Sequence, residues 1–193
     1  MIKFAAFLSG AALLILELMG VRLLTPAFGS SMIVYSAVIA VFLAAMAVGY
    51  FIGGYIADRA PYRSTLALSL GLGAILLAAC TPVAPPVAGA FAAARFGGYW
   101  APVLAAFAVF TLPSAVLAFV PPIAIRLEMK DVSRSGSVSG RIYAISTFGS
   151  IIGTLSVPLL IGVMRVSYSL YAIAGAIAVY AALLFIFPRG KQA

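Results

Sequence analysis

The chain of 193 residues has no histidine, one cysteine and four acidic residues, and these shortages limit the chemistry it can carry out. Without histidine, it lacks the commonest side-chain proton carrier near neutral pH and the commonest transition-metal ligand. The single cysteine, Cys80, excludes an intrachain disulfide and a cysteine cluster for metal binding. The sequence also has no glycine-rich phosphate loop after a strand and no Ser/His/Asp set. It therefore predicts a protein that is not an enzyme and that holds no metal or cofactor.

Charged residues of either sign are scarce as well. They make up 8% of the sequence, against about 25% in a typical soluble domain, while hydrophobic residues make up 65% and the mean hydropathy is +1.20. These values predict an integral membrane protein whose main partner is the lipid bilayer. The net charge of +8 would suit nucleic acid in a soluble protein, but here the basic residues lie between apolar segments. They are expected to set topology and to meet anionic headgroups, with no nucleic-acid partner.

Apolar segments long enough to cross a hydrocarbon core of about 30 Å occur six times, which predicts an all-α bundle forming a single transmembrane domain. The expected spans cover residues 4–24, 32–57, 64–82, 100–125, 138–163 and 168–187. Pro82, Pro85 and Pro86 precede an alanine-rich piece before residue 99, which predicts a loop carrying a short interfacial helix. Kinks are expected at prolines inside the later spans, namely Pro113, Pro121, Pro122 and Pro158.

The basic residues are distributed unevenly between the two ends of these spans. Nine lie at the termini and at the second and fourth loops with their adjoining helix ends: Lys3, Arg59, Arg63, Arg126, Lys130, Arg134, Arg141, Arg189 and Lys191. Three lie on the other side: Arg22, Arg95 and Arg165. Under the positive-inside rule, this imbalance predicts a multi-pass protein of the cytoplasmic (inner) membrane with both termini in the cytoplasm.

Glu17 is the acidic residue that falls well inside an apolar span. An ionisable side chain there costs roughly 2.5 to 3.5 kcal/mol on insertion scales, so it marks a functional site by default. The apolar run is too long and too interrupted for a signal peptide, and no good small-residue cleavage site follows it. Arg22 lies about 140° around the helix from Glu17, which argues against a pairing within the helix. Glu17 instead shares a face with Ala6, Gly10 and Gly20, which predicts that this face lies against protein or a polar cavity.

Small residues recur at intervals of four on one face of two further spans. They are Ala45, Gly49, Gly53 and Ala57 in the second span, and Gly149 and Gly153, with Ser146 nearby, in the fifth. Inside lipid no water drives helices together, so such stripes indicate positions where helix backbones approach closely. Together with Gly10 of the first span, these glycines are the expected helix-packing positions.

A short turn after the second span combines one acid with two bases. Asp58 is followed by Arg59 and Arg63. It is expected either to cap the third helix or to pair with Arg126 at the end of the fourth span. The stretch from Gly54 to Arg63 resembles the G-x-x-x-D-R loop of the major facilitator superfamily, although that family's later glycine is replaced and only Arg63 stands for the second basic position. The resemblance implies a role for this motif in conformational change.

Three other stretches carry a narrower resemblance: residues 9–31 around Glu17, the pair Pro121-Pro122, and residues 139–154. Together they are similar to the membrane domain of the spermidine synthase-like membrane proteins, which is itself similar to one six-helix half of a major facilitator transporter. The resemblance implies two inverted three-helix repeats, of which residues 51–54 and 151–154 show a weak match. Two departures are evident. The soluble aminopropyltransferase domain that follows in many relatives is missing, and Ser146 stands where asparagine is common.

The resemblance implies a half-size transporter that acts as a homodimer, because one six-helix half lacks the opposite wall of a transport pathway. The dimer would move a small solute, with cationic, polyamine-like compounds as candidates, by alternating access. The residues expected to bind the solute or a coupling proton are Glu17, Tyr35, Arg141, Tyr143, Ser146 and Thr147. Arg141 is a candidate partner for Glu17 or for an anionic solute, and a structural hydrogen bond or ion pair is the other role open to Glu17. The alternative function is a non-transporting subunit or anchor that docks a separate aminopropyltransferase-like enzyme through residues 126–141.

Overall fold

The computed structural model describes residues 1–94 and 98–186, and within them the chain forms helices and turns but no strand. The helices are α1 (Ile2–Phe28), α2 (Met32–Arg59), α3 (Arg63–Ala93), α4 (Trp100–Leu117), α5 (Val120–Glu128), α6 (Ser135–Val163) and α7 (Val166–Ile186), with one turn of 3-10 helix at Val132–Arg134. Six segments are long and apolar enough to cross a membrane, α4 and α5 together forming the fourth. The prediction of an all-α, multi-pass membrane protein is therefore confirmed. Arg95, Arg189 and Lys191, which contributed to the predicted orientation, lie outside the described residues.

The spans pack in pairs whose members are far apart along the chain. α1 packs most extensively against α6, α2 against α4, and α3 against both α7 and α4. α1 is the central helix, since it contacts every other span. α6 is the least buried of the spans described, and the outer faces of α2 and α6 each carry several exposed apolar side chains.

The chain reverses between α1 and α2 over three residues. Gly29 adopts a φ of 76°, a left-handed conformation that is costly for residues with a β-carbon. Ser31 then caps α2, because its hydroxyl oxygen accepts a hydrogen bond from the Val34 N–H at 3.4 Å. This tight turn makes α1 and α2 antiparallel neighbours.

The third span is longer than predicted. Instead of ending at residue 82, α3 continues to Ala93 through Pro82, Pro85 and Pro86, so the predicted loop with a short interfacial helix was wrong. A proline removes one backbone hydrogen bond, but away from water the helix remains the conformation that satisfies the neighbouring backbone groups. The three proline side chains are exposed on the outer surface, where their rings displace no other helix. With 31 residues, α3 is about 46 Å long, so it must tilt within a core of about 30 Å or project beyond it.

The fourth span is interrupted near its end. α4 stops at Leu117 and α5 starts at Val120. Pro121 and Pro122 have no N–H to donate to the carbonyls of Leu117 and Ala118, which explains a break at this point. The kink predicted at these prolines therefore takes the form of a short gap between two helices.

Pro113 lies inside α4 without ending it. Its missing N–H deprives the Val109 carbonyl of its helical donor. The Cys80 thiol of α3 lies 3.9 Å from that oxygen and 3.3 Å from the carbonyl oxygen of Leu76 in its own helix. The thiol is therefore placed to donate to either carbonyl, and it brings a polar contact to the α3–α4 interface.

Candidate functional site

α1 and α6 approach closely because glycines remove side chains from their interface. A β-carbon added at Gly149 would meet the backbone carbonyl of Phe7, and one at Gly153 would lie 2.6 Å from the carbonyl oxygen of Ala11. Since both residue numbers increase together along these contacts, the two helices run in the same direction. Together with the contacts of Gly10, these contacts set the register of the two helices, and so the height of every other residue on them.

Gly10 belongs to the same interface. A β-carbon at this position would meet the backbone carbonyl of Ser146, and the Ser150 hydroxyl donates a hydrogen bond of 3.1 Å to the carbonyl oxygen of Gly10. At the edge of this face that is turned toward α4, a β-carbon at Gly20 would lie 3.0 Å from the ring of Phe110. The small-residue face that contains Glu17 thus lies between α6 and α4.

The stripe on α2 packs against the interrupted fourth span. A β-carbon at Gly49 would meet the carbonyl of Ala115, and one at Gly53 would lie 2.7 Å from the Cα of Phe119. Gly53 therefore contacts the gap between α4 and α5 directly. The glycines of α2 and of α6 serve the same purpose at two different interfaces.

Glu17 lies half-buried on α1, one turn beyond the buried Leu13. Within residues 1–94 and 98–186 its carboxylate makes no hydrogen bond and no ion pair, and the two ion pairs found there involve other acids. Arg22 is exposed and not paired with Glu17, as their positions around the helix predict. A structural ion pair, the alternative role considered for Glu17, therefore has no partner in the described part of the chain.

Arg141 is too far along the bundle to pair with Glu17. Gly10 contacts both Ser146 and Ser150, and Phe7 contacts Gly149, so a residue of α1 lies roughly level with the residue of α6 whose number is about 140 higher. Glu17 is therefore level with the region around Val157, and at 1.5 Å per residue it is separated from Arg141 by about 24 Å along the helix axes. The proposed Glu17–Arg141 pair is therefore wrong, because it depended on a helix register that hydropathy does not reveal.

The remaining predicted ligands lie at different heights. Ser146 is buried against Gly10, Thr147 is exposed, and the Tyr143 ring packs edge-on against Tyr50 with centroids 6.5 Å apart. These residues lie on the first half of α6, nearer than Glu17 to the end of the bundle where α1 begins. Tyr35 lies near the opposite end, where it borders a cleft between α1, α2 and α6.

The loop motif forms a contact between two spans. Asp58 lies in the last turn of α2, and its Oδ1 is 3.8 Å from Arg126 Nε in α5. This is one of the two arrangements that the sequence left open. The other is excluded, because α3 begins after Tyr62 without a capping side chain.

Further charges gather at the same end of the bundle, here called the basic end. Lys3 Nζ of α1 is 3.9 Å from Glu128 Oε2 of α5. The Arg59 guanidinium stacks over the Tyr55 ring at 3.4 Å from its centroid, a favourable cation–π geometry. α5, the segment beyond the break in the fourth span, is therefore joined by ion pairs to both α1 and α2.

We expect the Asp58–Arg126 pair to contribute little to stability. Both side chains are largely exposed, and exposed pairs are typically worth about 0 to 1 kcal/mol. Asp58→Asn should therefore lower the free energy of unfolding in detergent by less than about 1 kcal/mol. Chemical denaturation measures this change, with Asp131→Asn as a control in the adjacent loop. A loss several times larger would contradict an exposed pair and place Asp58 in a buried network.

The predicted site residues therefore fall into separate groups rather than one pocket. Glu17 lies near the middle of α1, the four ligands of α6 lie toward the basic end, and Tyr35 lies with Arg22 at the opposite end. Sequence reasoning missed this cleft, since the residues that border it come from three helices. No protein-family model matches the chain, and none of the curated proteins or solved structures matches it.

Proposed function

We propose that the chain is one half of a membrane transporter, which assembles as a homodimer and moves a small solute by alternating access. In this proposal it is related to the six-helix halves of the major facilitator superfamily and to the membrane domain of spermidine synthase-like membrane proteins. Cationic, polyamine-like solutes are the first candidates, because Glu17 offers a carboxylate without a protein partner within the described residues.

The observation that carries the proposal is a burial pattern that recurs after 100 residues, as an internal repeat would produce. Residues 47–60 and residues 147–160 have the same order of buried, half-buried and exposed positions throughout. Ser69 of α3 and Ser169 of α7 also correspond, since each donates a hydrogen bond to the carbonyl oxygen four residues earlier, at 2.9 and 3.3 Å. A repeat of three spans reverses direction across the membrane, so the second copy would be inverted, as in many secondary transporters.

The pairing of the helices supports the same interpretation. If the first three spans correspond to the last three, α1 corresponds to α4, α2 to α6 and α3 to α7. The α1–α6 pair then corresponds to the α4–α2 pair, and in the third pair α3 packs against its own counterpart, α7. These are the pairs that pack most extensively. Gly49 and Gly53 serve one interface and Gly149 and Gly153 the other, again at an interval of 100 residues.

The exposed faces of α2 and α6 are the surfaces on which we place the homodimer contact, because these two spans occupy corresponding positions in the two proposed repeats. They carry long rows of exposed apolar side chains, including Leu43 on α2 and Leu155 and Leu159 on α6. In a parallel dimer the exposed faces of α2 and α6 in one chain would meet the same faces of the second chain. The space enclosed between the two chains would form the transport pathway. The basic end, with the Asp58 motif, would face the cytoplasm under the positive-inside rule.

Crosslinking in lipid tests the dimer. Cys80 is buried, so cysteines introduced at Leu43 or Leu155 would be the reactive thiols. We expect both variants to form crosslinked dimers, whereas Leu68→Cys, on the exposed outer face of α3, should not. Crosslinking at Leu68 alone, or a monomeric mass in nanodiscs, would remove the basis for a two-half pathway.

Uptake by proteoliposomes tests the transport activity. The purified chain is reconstituted, and uptake of labelled polyamines and other small cations is measured at several pH values, with protein-free liposomes as the control. We expect saturable uptake of at least one cation. Absence of uptake across the series, with correctly inserted dimeric protein, would reject the carrier.

One observation favours the second candidate function, an anchor for a soluble partner. In the register of α1 and α6, the start of α1 at Ile2 is roughly level with Ile142, so about the first seven residues of α6 extend about 10 Å beyond it. This projecting segment and the preceding 3-10 turn are largely exposed and carry Arg134 and Arg141. If a soluble enzyme co-purified with the wild type but not after replacement of residues 131–141, and uptake were absent, the anchor would be the better account.

A further inference from the structure

The cleft at the end opposite the basic end combines one positive charge with apolar walls. It has a volume of about 580 Å³ and lies between the end of α1, the start of α2 and the end of α6. Arg22, Tyr35 and Thr154 border it with polar side chains, and its apolar lining includes Leu18, Leu155, Pro158 and Ile161. Its size falls within the range of small-ligand sites, about 300 to 1,000 Å³.

Arg22 has no acidic partner among the described residues. Asp58 and Glu128 are paired at the basic end, and Asp131 accepts hydrogen bonds from Ser133 in the loop before α6. Lys3, which pairs with Glu128, lies 19 positions before Arg22 on α1, or about 28 Å along the axis. Glu17, five residues earlier on the same helix, is not paired with it either, so within the described residues the guanidinium is available to an external counter-ion.

The surroundings of the cleft favour a lipid as the source of that counter-ion. Leu155 and Pro158 are exposed on the outer face of α6, so the apolar wall opens toward the hydrocarbon region around the bundle. Arg22 lies one turn from the end of the apolar run of α1, at a depth suited to headgroups. A guanidinium binds phosphate oxygens in a bidentate manner, and the Tyr35 hydroxyl is an additional donor.

We propose that this cleft is a binding site for one anionic phospholipid, with its phosphate at Arg22 and Tyr35 and one acyl chain along Leu18, Pro158 and Ile161. The site does not depend on transport. In a single chain the lipid would lie at the surface of the bundle, and in the proposed dimer, where Leu155 belongs to the contact face, it would lie between the two chains. A lipid bound here would contact α1, α2 and α6 together, and so would join the central helix to both exposed faces.

Native mass spectrometry of the purified full chain tests the site. The protein is titrated with dioleoylphosphatidylglycerol or with dioleoylphosphatidylcholine, which has the same acyl chains and no net charge. We expect the first phosphatidylglycerol to bind about tenfold more tightly than phosphatidylcholine, because the choline ammonium of phosphatidylcholine offsets the charge of the phosphate beside Arg22; tenfold corresponds to about 1.4 kcal/mol. Arg22→Gln should abolish this difference, and Arg22→Lys, which keeps the charge but loses the bidentate geometry, should reduce it.

Two further variants separate the cleft from general surface charge. Arg165→Gln removes another exposed base at the same end and should leave the preference intact. Ile161→Trp should weaken binding of both lipids, because it fills the apolar part of the cleft. The proposal would be overturned by an unchanged preference in Arg22→Gln, by an equal loss in Arg165→Gln, or by displacement of the lipid by equimolar glycerol phosphate, which would assign the site to a soluble anion.

Discussion

Replacing Gly149 with alanine is expected to lower the free energy of unfolding by about 2 kcal/mol or more, in the upper part of the range for single substitutions. The added methyl group would meet the backbone carbonyl of Phe7, which cannot rotate away as a side chain can. α6 would have to move away from α1, and the neighbouring contact between Gly153 and Ala11 would loosen as well. Denaturation in mixed micelles measures the change.

Gly162 provides a matched control on the same helix. No atom lies within 4 Å of a β-carbon built at this position. Gly162→Ala should therefore be neutral or stabilising by up to about 1 kcal/mol, since alanine is the better helix former. If Gly149→Ala and Gly162→Ala behaved alike, the close approach of α1 and α6 would be refuted.

Replacing Glu17 with leucine is expected to stabilise the protein and to abolish uptake. Insertion scales assign roughly 2.5 to 3.5 kcal/mol to a charge at the centre of a span, and a small favourable value to leucine. Glu17 is half-buried and lacks a protein partner in the described residues, so we expect a gain in the free energy of unfolding, smaller than the insertion cost because the span stays in the micelle when the protein unfolds. Glu17→Gln should also stop uptake, because it removes the negative charge while keeping the shape.

The combination of the two measurements distinguishes a transport site from a structural group. Retention of an unpaired acid at a cost in stability is typical of functional residues. Loss of stability in Glu17→Leu, with uptake retained in Glu17→Gln, would instead show that the carboxylate holds the helices together. Glu128→Gln is the matched control, since this acid lies at the basic end and pairs with Lys3. It should leave uptake largely unchanged.

Hydropathy predicted the number and order of the spans because each must be long and apolar enough to cross the bilayer. It also placed Asp58 and Arg126 at the same end, and the two side chains do form an ion pair. The extension of α3 was missed because prolines usually interrupt helices in water, whereas a helix in lipid tolerates them. Element boundaries near proline are therefore the weakest part of such a prediction.

The arrangement of the candidate site was harder to predict than the fold. Tyr35, Ser146 and Arg141 were grouped with Glu17 because each is polar and adjoins an apolar segment. Their heights depend on how far α6 is displaced along α1, and this displacement is set by which glycine meets which carbonyl. The same limitation hid the cleft at Arg22, whose walls come from helices that are distant in sequence.

The pairing of α1 with α6 has a consequence for how the protein is made. Gly10 and Ser150, which join the two helices, are 140 residues apart. At roughly 5 to 20 residues per second, a ribosome needs roughly 7 to 28 s to synthesise the intervening chain. During that interval α1, with the Glu17 carboxylate, is in the membrane before α6 has been synthesised. Until the fifth span arrives, the face of α1 that packs against α6 is exposed to the insertion machinery or to lipid.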